Sequence, residues 1–469
     1  MRKTVALLLA LFLTASCLMA AKPAFSTTDT AENTWATKAS MHVARSKLGV
    51  AVVKGKIYAI GGTTIRIKES IRISGGVVGI NEEYDPATDT WTNRTPMPTP
   101  RASFAVAVYQ NEIYCIGGTV SGELDQNTGV NEVYDPVTDT WTTKSSMPTP
   151  KSKPQANVVN GKIYLLGSKD ETTFNQVYDP ERDSWTTKAS IPNAPYLFGS
   201  AVVDDKIYSI VEFHNTTGFN SKIEIYNPLT DNWGSGAIGR HDFSSVAAAT
   251  TGMMAPKNIY VLSGWETMAT SGRTGSQPLG NPTESNQIYN PKNDSWRLGA
   301  AKPTDRINFG VAVVNDTLYV IGGIVMRYPI TFGWGIYDCT PTAVNEAYTP
   351  VGYGTIPPVI DVVSPRSQTY NESSVSLVFT VNKPINWTGY SLDGQETVTI
   401  TGNATLEGLA NGSHNVTVYA RDAFGNTGAS ETVSFTVDVS FPATMVVAPV
   451  VAVAVVGAGL AFYYKKHKR

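Results

Sequence analysis

The sequence predicts an all-β chain: six four-stranded units stacked radially into a closed ring, a small β-sandwich, and one C-terminal membrane helix. Three observations carry this. A Tyr-x-Pro segment recurs six times between residues 31 and 352. Short runs rich in Val, Ile, Tyr and Thr alternate with tight turns such as Asn160-Gly161 and Asp135-Pro136. Residues 445–464 form a stretch of twenty without a charge, long enough as a helix to cross a bilayer.

Length and composition bound the remainder. A chain of 469 residues accommodates two to four domains, and 42% hydrophobic residues are enough for ordinary cores. The formal net charge is −2, so no global basic field exists to hold a nucleic-acid backbone. Charged residues make up 16% of the chain against about 25% in a typical domain. Three cysteines cannot staple a fold of this size. Charged disorder, histone-like DNA binding and disulfide scaffolds are excluded.

The N-terminus reads Arg2-Lys3, an apolar run over 5–13, then small residues over 14–21. That is the pattern of a secretory signal peptide occupying 1–20. Two rival readings are a lipoprotein box at Thr14-Ala15-Ser16-Cys17 and an uncleaved anchor. At the other end, Phe462, Tyr463 and Tyr464 precede the basic tail 465–469, which places the tail in the cytoplasm and the bulk of the chain outside. Removal of Cys17 with the signal leaves Cys115 and Cys339, expected to be free or buried because they fall on non-adjacent repeats.

The repeat is explicit. Asn81 to Trp91 reads NEEYDPATDTW and Asn131 to Trp141 reads NEVYDPVTDTW. The pattern returns around Tyr178 and Trp185, Tyr226 and Trp233, Tyr289 and Trp296, and half of it at Tyr348, with Tyr84 and Tyr134 the first two tyrosines. Successive tyrosines are 50, 44, 48, 63 and 59 residues apart. Ahead of each lies a strand pair, ending at Gly61-Gly62, Gly117-Gly118, Gly167-Ser168, Ile210-Val211, Ser263-Gly264 and Gly322-Gly323. A lone four-stranded sheet cannot bury both faces, so such units stack, and radial stacking protects their edges. The Gly pair, the Tyr before Asp-Pro and the Trp seven residues later resemble the kelch motif, over about 320 residues by the repeat count. That resemblance implies a β-propeller.

The sixth Tyr-x-Pro strand has no Trp after it. The missing piece lies near the N-terminus, as Asn33-Thr34-Trp35. Placed as the outer strand of the last unit, it closes the ring at six blades over 31–352. Beyond Pro357-Pro358, period-two runs over 375–381, 397–401, 414–420 and 432–437, with turns at Asp393-Gly394 and Asn411-Gly412, suggest a sandwich of about seven strands over 357–438. It resembles Ig-like or fibronectin-type modules of cell-surface proteins.

With the strands of each unit called a to d, the a–b and c–d turns are short. The b–c and d–a connections are long at 63–80, 119–130, 265–285 and 324–344. Long loops on a rigid scaffold carry binding, so the site is expected on the b–c/d–a face. Arg45, Arg101, Lys151, Arg240 and Arg306 open strand a on that face, while Glu82, Glu132 and Glu346 sit near the start of strand c. Two readings compete: a ring of guanidinium groups for an anionic ligand, with Arg101 and Arg306 as binding residues, or Arg–Glu pairs within the framework. The loop from Met326 to Tyr337 carries Tyr328, Phe332, Trp334 and Tyr337, either a stacking platform for sugar or protein or a folded-back plug.

No metal, cofactor or catalytic set is expected. His42, His214 and His241 are scattered. Galactose-oxidase-like proteins share the kelch fold and hold copper with Tyr and His, but the local spacing here offers no such set. Six-bladed kelch proteins of the bacterial envelope include a sialic-acid epimerase. Nine N-x-S/T sequons occur, five of them in the second module at Asn371, Asn386, Asn403, Asn411 and Asn415, candidates for glycosylation. The expected function is a surface-anchored recognition module for an extracellular protein or glycan that catalyses nothing. An envelope sugar enzyme of epimerase or lyase kind and a purely structural envelope protein are the alternatives.

Overall fold

A computed structural model describes residues 31–440 except 122–125, 170–171, 193–195, 216–217, 239–242, 245, 263–264, 268–279, 282–284 and 328–337. The expected signal segment 1–20, membrane span 445–464 and tail 465–469 lie outside the described residues. Among the described residues, no helix is long and apolar enough to cross a membrane.

The repeat folds as four-stranded antiparallel meanders. In the first, Gly49–Val53, Lys56–Ile60, Asn81–Asp85 and Thr90–Arg94 pair in that order. The second is Ala105–Tyr109, Glu112–Ile116, Asn131–Asp135 and Thr140–Lys144. The third is Gln155–Val159, Lys162–Lys169, Thr172–Asp179 and Ser184–Thr187. The fourth is Tyr196–Val203, Lys206–Asn215, Gly218–Asn227 and Asn232–Ile238. The fifth is Ala247–Thr250, Ile259–Leu262, Asn286–Asn290 and Ser295–Leu298. In the sixth, Gly310–Val314, Thr317–Ile321 and Asn345–Thr349 are completed by Thr34–Lys38 from the N-terminal end, with Trp35 opposite Tyr348.

Burial explains the composition of each strand. Strand b, as in Lys56–Ile60, is buried along almost its whole length because a neighbouring sheet covers each face; it reads as a continuous apolar run for that reason. Strand d, as in Thr90–Arg94, is largely exposed apart from its Trp. Apolar clusters join the sheets in cyclic order. Ala51 and Tyr58 of the first pack with Ile113 and Tyr134 of the second. The series continues second to third, third to fourth, fourth to fifth and fifth to sixth. Ala312 and Ile321 of the sixth return to Ile57 and Ala59 of the first. The two thiols, Cys115 and Cys339, are free and buried.

A polar clamp accompanies each apolar junction. Tyr84 donates its hydroxyl to Asp89 Oδ1 at 2.6 Å, and the same oxygen accepts Ala39 N–H at 2.8 Å. Trp91 then donates Nε1–H to Ala39 O at 2.7 Å, its ring 5.0 Å from that of Tyr84. The arrangement repeats with Tyr134, Asp139 and Trp141 on Thr95 and with Tyr178, Asp183 and Trp185 on Ser145. It continues with Tyr226, Asp231 and Trp233 on Ala189 and with Tyr289, Asp294 and Trp296 on Ala237. In the sixth, Asn33 replaces the aspartate: it accepts from Tyr348 at 2.7 Å and from Ala300 N–H at 2.6 Å, while Trp35 donates to Ala300 O at 2.9 Å. All six clamp residues have φ between 47° and 57°, a left-handed geometry that Asp and Asn adopt at lowest cost after Gly.

Two features depart from the sequence reading. Gly61-Gly62, Gly117-Gly118 and Gly322-Gly323 do end strand b; Gly62, for example, has φ 96° and donates N–H to Arg101 O at 2.8 Å. At Gly167-Ser168 and Ile210-Val211 the strand instead runs on, to Lys169 and Asn215. Without a left-handed glycine pair nothing turns the chain there, and b and c extend as a longer hairpin. Second, the expected loops 63–80 and 324–344 are partly sheet. Ile324–Arg327 and Asp338–Pro341 pair with each other and, through Cys339 and Ile67, with Arg66–Lys68 and Ile71–Ser74.

Residues 360–437 form two facing sheets, one of Ile360–Ser364, Val375–Val381 and Ala404–Leu406, the other built on Gly412–Arg421. Leu377, Leu406, Val416, Val418 and Phe435 fill the space between them. Asn371, Asn386, Asn403, Asn411 and Asn415 are all exposed on this module.

The clamps predict an acid response. Asp89, Asp183 and Asp231 sit below the usual 3.8, held there first by the tyrosine hydroxyl and further by the backbone N–H. A carboxylate depressed in the folded state stabilises fully above its ordinary pKa and loses that contribution as pH falls through the folded value. The melting temperature should therefore drop as pH falls below about 4. A triple Asp89→Asn, Asp183→Asn, Asp231→Asn variant keeps the acceptor oxygen, as Asn33 does, and should drop less over that window. Equal slopes would contradict the assignment.

Candidate functional site

Arg45, Arg101 and Arg306 are each 0% exposed. Arg101 Nη1 donates to Gly117 O and Val130 O at 2.9 and 2.8 Å, and Nη2 to Cys115 O at 3.2 Å and Glu132 Oε2 at 2.9 Å. Arg45 reaches Gly61 O, Ala59 O, Ile80 O and Glu82 in the same way. Arg306 bonds Glu346 at 2.6 Å and Val320 O at 2.8 Å. Each pair stays within one sheet and ties the start of strand a to strands b and c. Burial lowers the pKa of Arg45 and Arg306, with the partner glutamate opposing it. Arg101 and Arg306 are therefore corrected as binding residues: no guanidinium surface remains for a ligand.

The recurrence also fails in half the units. The glutamate position is Gln176 in the third sheet and Gln287 in the fifth, and Glu224 of the fourth pairs with Lys222 and Ser235. The complete Arg–Glu pair belongs to the sheets that carry Gly-Gly, namely the sixth, first and second.

A different set of residues surrounds the inner end of strand a. Two positions after each Arg (or Lys151) stand Asn308, Lys47, Ser103 and Lys153, all left-handed with φ between 53° and 57°. Their backbones form a chain across four sheets: Lys47 N–H donates to Asn308 O at 2.9 Å, Ser103 N–H to Lys47 O at 2.9 Å, and Lys153 N–H to Ser103 O at 2.7 Å. The side chains of Lys47, Ser103 and Lys153 line a recess on the b–c/d–a face with Ser121, Ser152 and the apolar Ile65 and Val77. Burial lowers the pKa of Lys47, and the nearby Lys153 ammonium lowers it further. Lys153 is exposed, and the protein packed around its ammonium lowers its pKa. Such a recess presents positive charge and hydroxyl donors to an anion.

The aromatic candidates Tyr328, Phe332, Trp334 and Tyr337 lie outside the described residues, between the paired strands Ile324–Arg327 and Asp338–Pro341. The repeat residues Tyr84, Tyr134, Tyr178, Tyr226, Tyr289 and Tyr348 are buried, with their Trp partners against them. Sequence reasoning missed Lys47, Ser103, Lys153 and Asn308. Their signal was legible: the position two residues after the repeated basic one is polar in all four units, Lys in two and Ser or Asn in the others.

The Kelch motif model matches residues 100–148, which contain strands a to d of the second sheet and the Arg101–Glu132 pair. The chain thus carries a kelch motif in its second sheet. Its sheets fit a kelch propeller. It is 43% identical over 79 residues to an influenza virus NS1A-binding protein homolog of Xenopus laevis, covering 17% of this chain and 11% of that one. Beta-scruin of Limulus polyphemus is 38% identical over 89 residues, covering 19% and 9%. Halomucin of Haloquadratum walsbyi is 40% identical over 111 residues, covering 22% and 1%. The chain thus spans about a tenth or less of these relatives' lengths. The solved structure of YjhT aligns over 64% of this chain and 95% of its own with a TM-score of 0.47 and 14% identity, too distant to carry an argument.

The framework role of the kelch Arg–Glu pair has a measurable consequence. Arg101→Met leaves Glu132 buried without its cation and should cost roughly 3–5 kcal/mol in urea unfolding. Adding Glu132→Leu should recover part of that loss. A single variant as stable as the parent would contradict the framework role.

Proposed function

We propose that the chain is an exported, surface-anchored recognition module that engages an extracellular protein or glycan through the b–c/d–a face of its propeller. In this reading residues 1–20 direct export, and 445–464 hold the chain in the membrane with 465–469 inside. The six sheets close as six blades sealed by Thr34–Lys38, and residues 357–438 form an Ig-like spacer glycosylated at Asn371, Asn386, Asn403, Asn411 and Asn415. The cyclic order of the apolar clusters and the sixth clamp at Ala300 support the closure. Exposure of the five sequons supports the spacer reading.

The single observation that carries the recognition role is the concentration of elaborated structure on one face. The lysine- and hydroxyl-lined recess and the accessory sheet of Arg66–Lys68, Ile71–Ser74, Ile324–Arg327 and Asp338–Pro341 both belong to b–c or d–a connections. Ile71 and Ile73 of that accessory sheet are 66% and 55% exposed, apolar area of the kind partners cover. Protein binding is also the property in the printed name of the Xenopus relative.

A screen of the secreted ectodomain against surface proteins and glycans tests this. Changing Tyr328, Phe332 and Trp334 together to Ala should weaken the captured interaction by about tenfold or more; unchanged capture would remove the aromatic segment from the site. Deleting residues 31–40 should lower the melting temperature by roughly 10 °C or more, since a strand and a clamp are lost together. A truncated ectodomain that melts like the full one would overturn the closure.

A further inference from the structure

The recess at the inner ends of the first, second and third sheets has features that packing alone does not require. Lys47 and Lys153 face it together, close enough for the charge of one to disfavour that of the other. Among the described residues neither has a carboxylate partner, and the hydroxyls of Ser103 and Ser152 in the same lining are without a hydrogen-bond partner. Lys47, Ser103 and Lys153 hold left-handed backbones, a conformation costing a non-glycine residue on the order of 1 kcal/mol. Their backbone bonds to one another fix that geometry. The result is a rigid rim presenting two cations and two free hydroxyl donors to one small volume.

We propose that this recess binds a phosphomonoester dianion, held between Lys47 and Lys153 with Ser103 and Ser152 donating to its remaining oxygens. Charge matching selects this chemistry. A phosphomonoester carries close to two negative charges at neutral pH and three terminal acceptor oxygens, whereas one carboxylate neutralises only one ammonium and offers two. Lysine, as a compact point charge, suits phosphate without requiring the planar fork geometry of arginine, and every arginine of the adjoining framework is already consumed by its glutamate. Ile65 and Val77 supply an apolar wall for the group that carries the phosphate. The proposal rests on the b–c/d–a face being the ligand face, and identifies the chemistry read at its centre.

Calorimetric titration of the ectodomain with inorganic phosphate, O-phosphoserine and glucose 6-phosphate, with acetate at equal ionic strength, tests it. All three phosphates should bind and acetate should not. The tightest of the three identifies the source, a free anion, a phosphorylated protein segment or a sugar phosphate. Lys47→Gln and Lys153→Gln should each weaken binding by about tenfold or more, with melting temperatures near the parent's. Lys54→Gln, at the opposite end of strand a, should bind as the parent does. Phosphate affinity unchanged in both recess variants, or acetate binding as tightly as phosphate, would overturn the proposal. Because no partner enters this titration, its failure would leave the capture experiment above standing on its own result.

Discussion

Six backbone positions, Ala39, Thr95, Ser145, Ala189, Ala237 and Ala300, are each gripped twice by the following sheet, their N–H by an Asp or Asn and their C=O by a Trp indole. The rest of the structure depends on this grip. Apolar contact between sheets is strong but without direction, so it would tolerate sliding. Two hydrogen bonds of opposite sense on one residue's backbone do not. The Tyr hydroxyl completes the device by fixing the carboxylate, and the Tyr–Trp ring contact near 5.0 Å adds about 0.5–1.5 kcal/mol beyond burial.

With the sheets set at a fixed relation, the inner ends of strand a fall into register. There the left-handed chain from Asn308 through Lys47 and Ser103 to Lys153 links one sheet to the next. The buried Arg–Glu pairs lie just behind it and hold strand a to its own sheet. Framework and site are therefore adjacent in sequence but opposite in behaviour: the arginine repeats and is spent internally, while its neighbour two residues later varies and faces solvent.

Much of this was legible in the sequence. Tyr, Trp and the Asp five residues after the Tyr recur because the units need the same clamp, and Trp35 is conspicuous because no Tyr-x-Pro precedes it while the sixth Tyr-x-Pro has no Trp after it. The role of Asn33 was not legible, since a lone Asn at an N-terminal turn has no repeat partner until the sixth sheet is assembled. The run-on hairpins at Lys169 and Asn215 were missed because Gly167-Ser168 and Ile210-Val211 align with glycine pairs but lack their left-handed freedom. The recess was missed because repetition drew attention to Arg101 and Arg306, whose burial no one-dimensional pattern reports. The accessory sheet, through Cys339 and Ile67, brings together segments some 270 residues apart in the chain, a pairing that local propensity does not encode.

The central claim is that the clamp, rather than apolar packing alone, locks each sheet to the next, and the sixth instance isolates it best. Amide hydrogen exchange at Ala300, followed residue by residue in the parent and in Asn33→Ala, is the most direct measurement. The account predicts strong protection in the parent. In the variant that protection should fall, together with that of the amides shared by Thr34–Lys38 and Asn345–Thr349, while the second and third sheets keep theirs. Protection at Ala300 and along that strand pair unchanged by Asn33→Ala would contradict it.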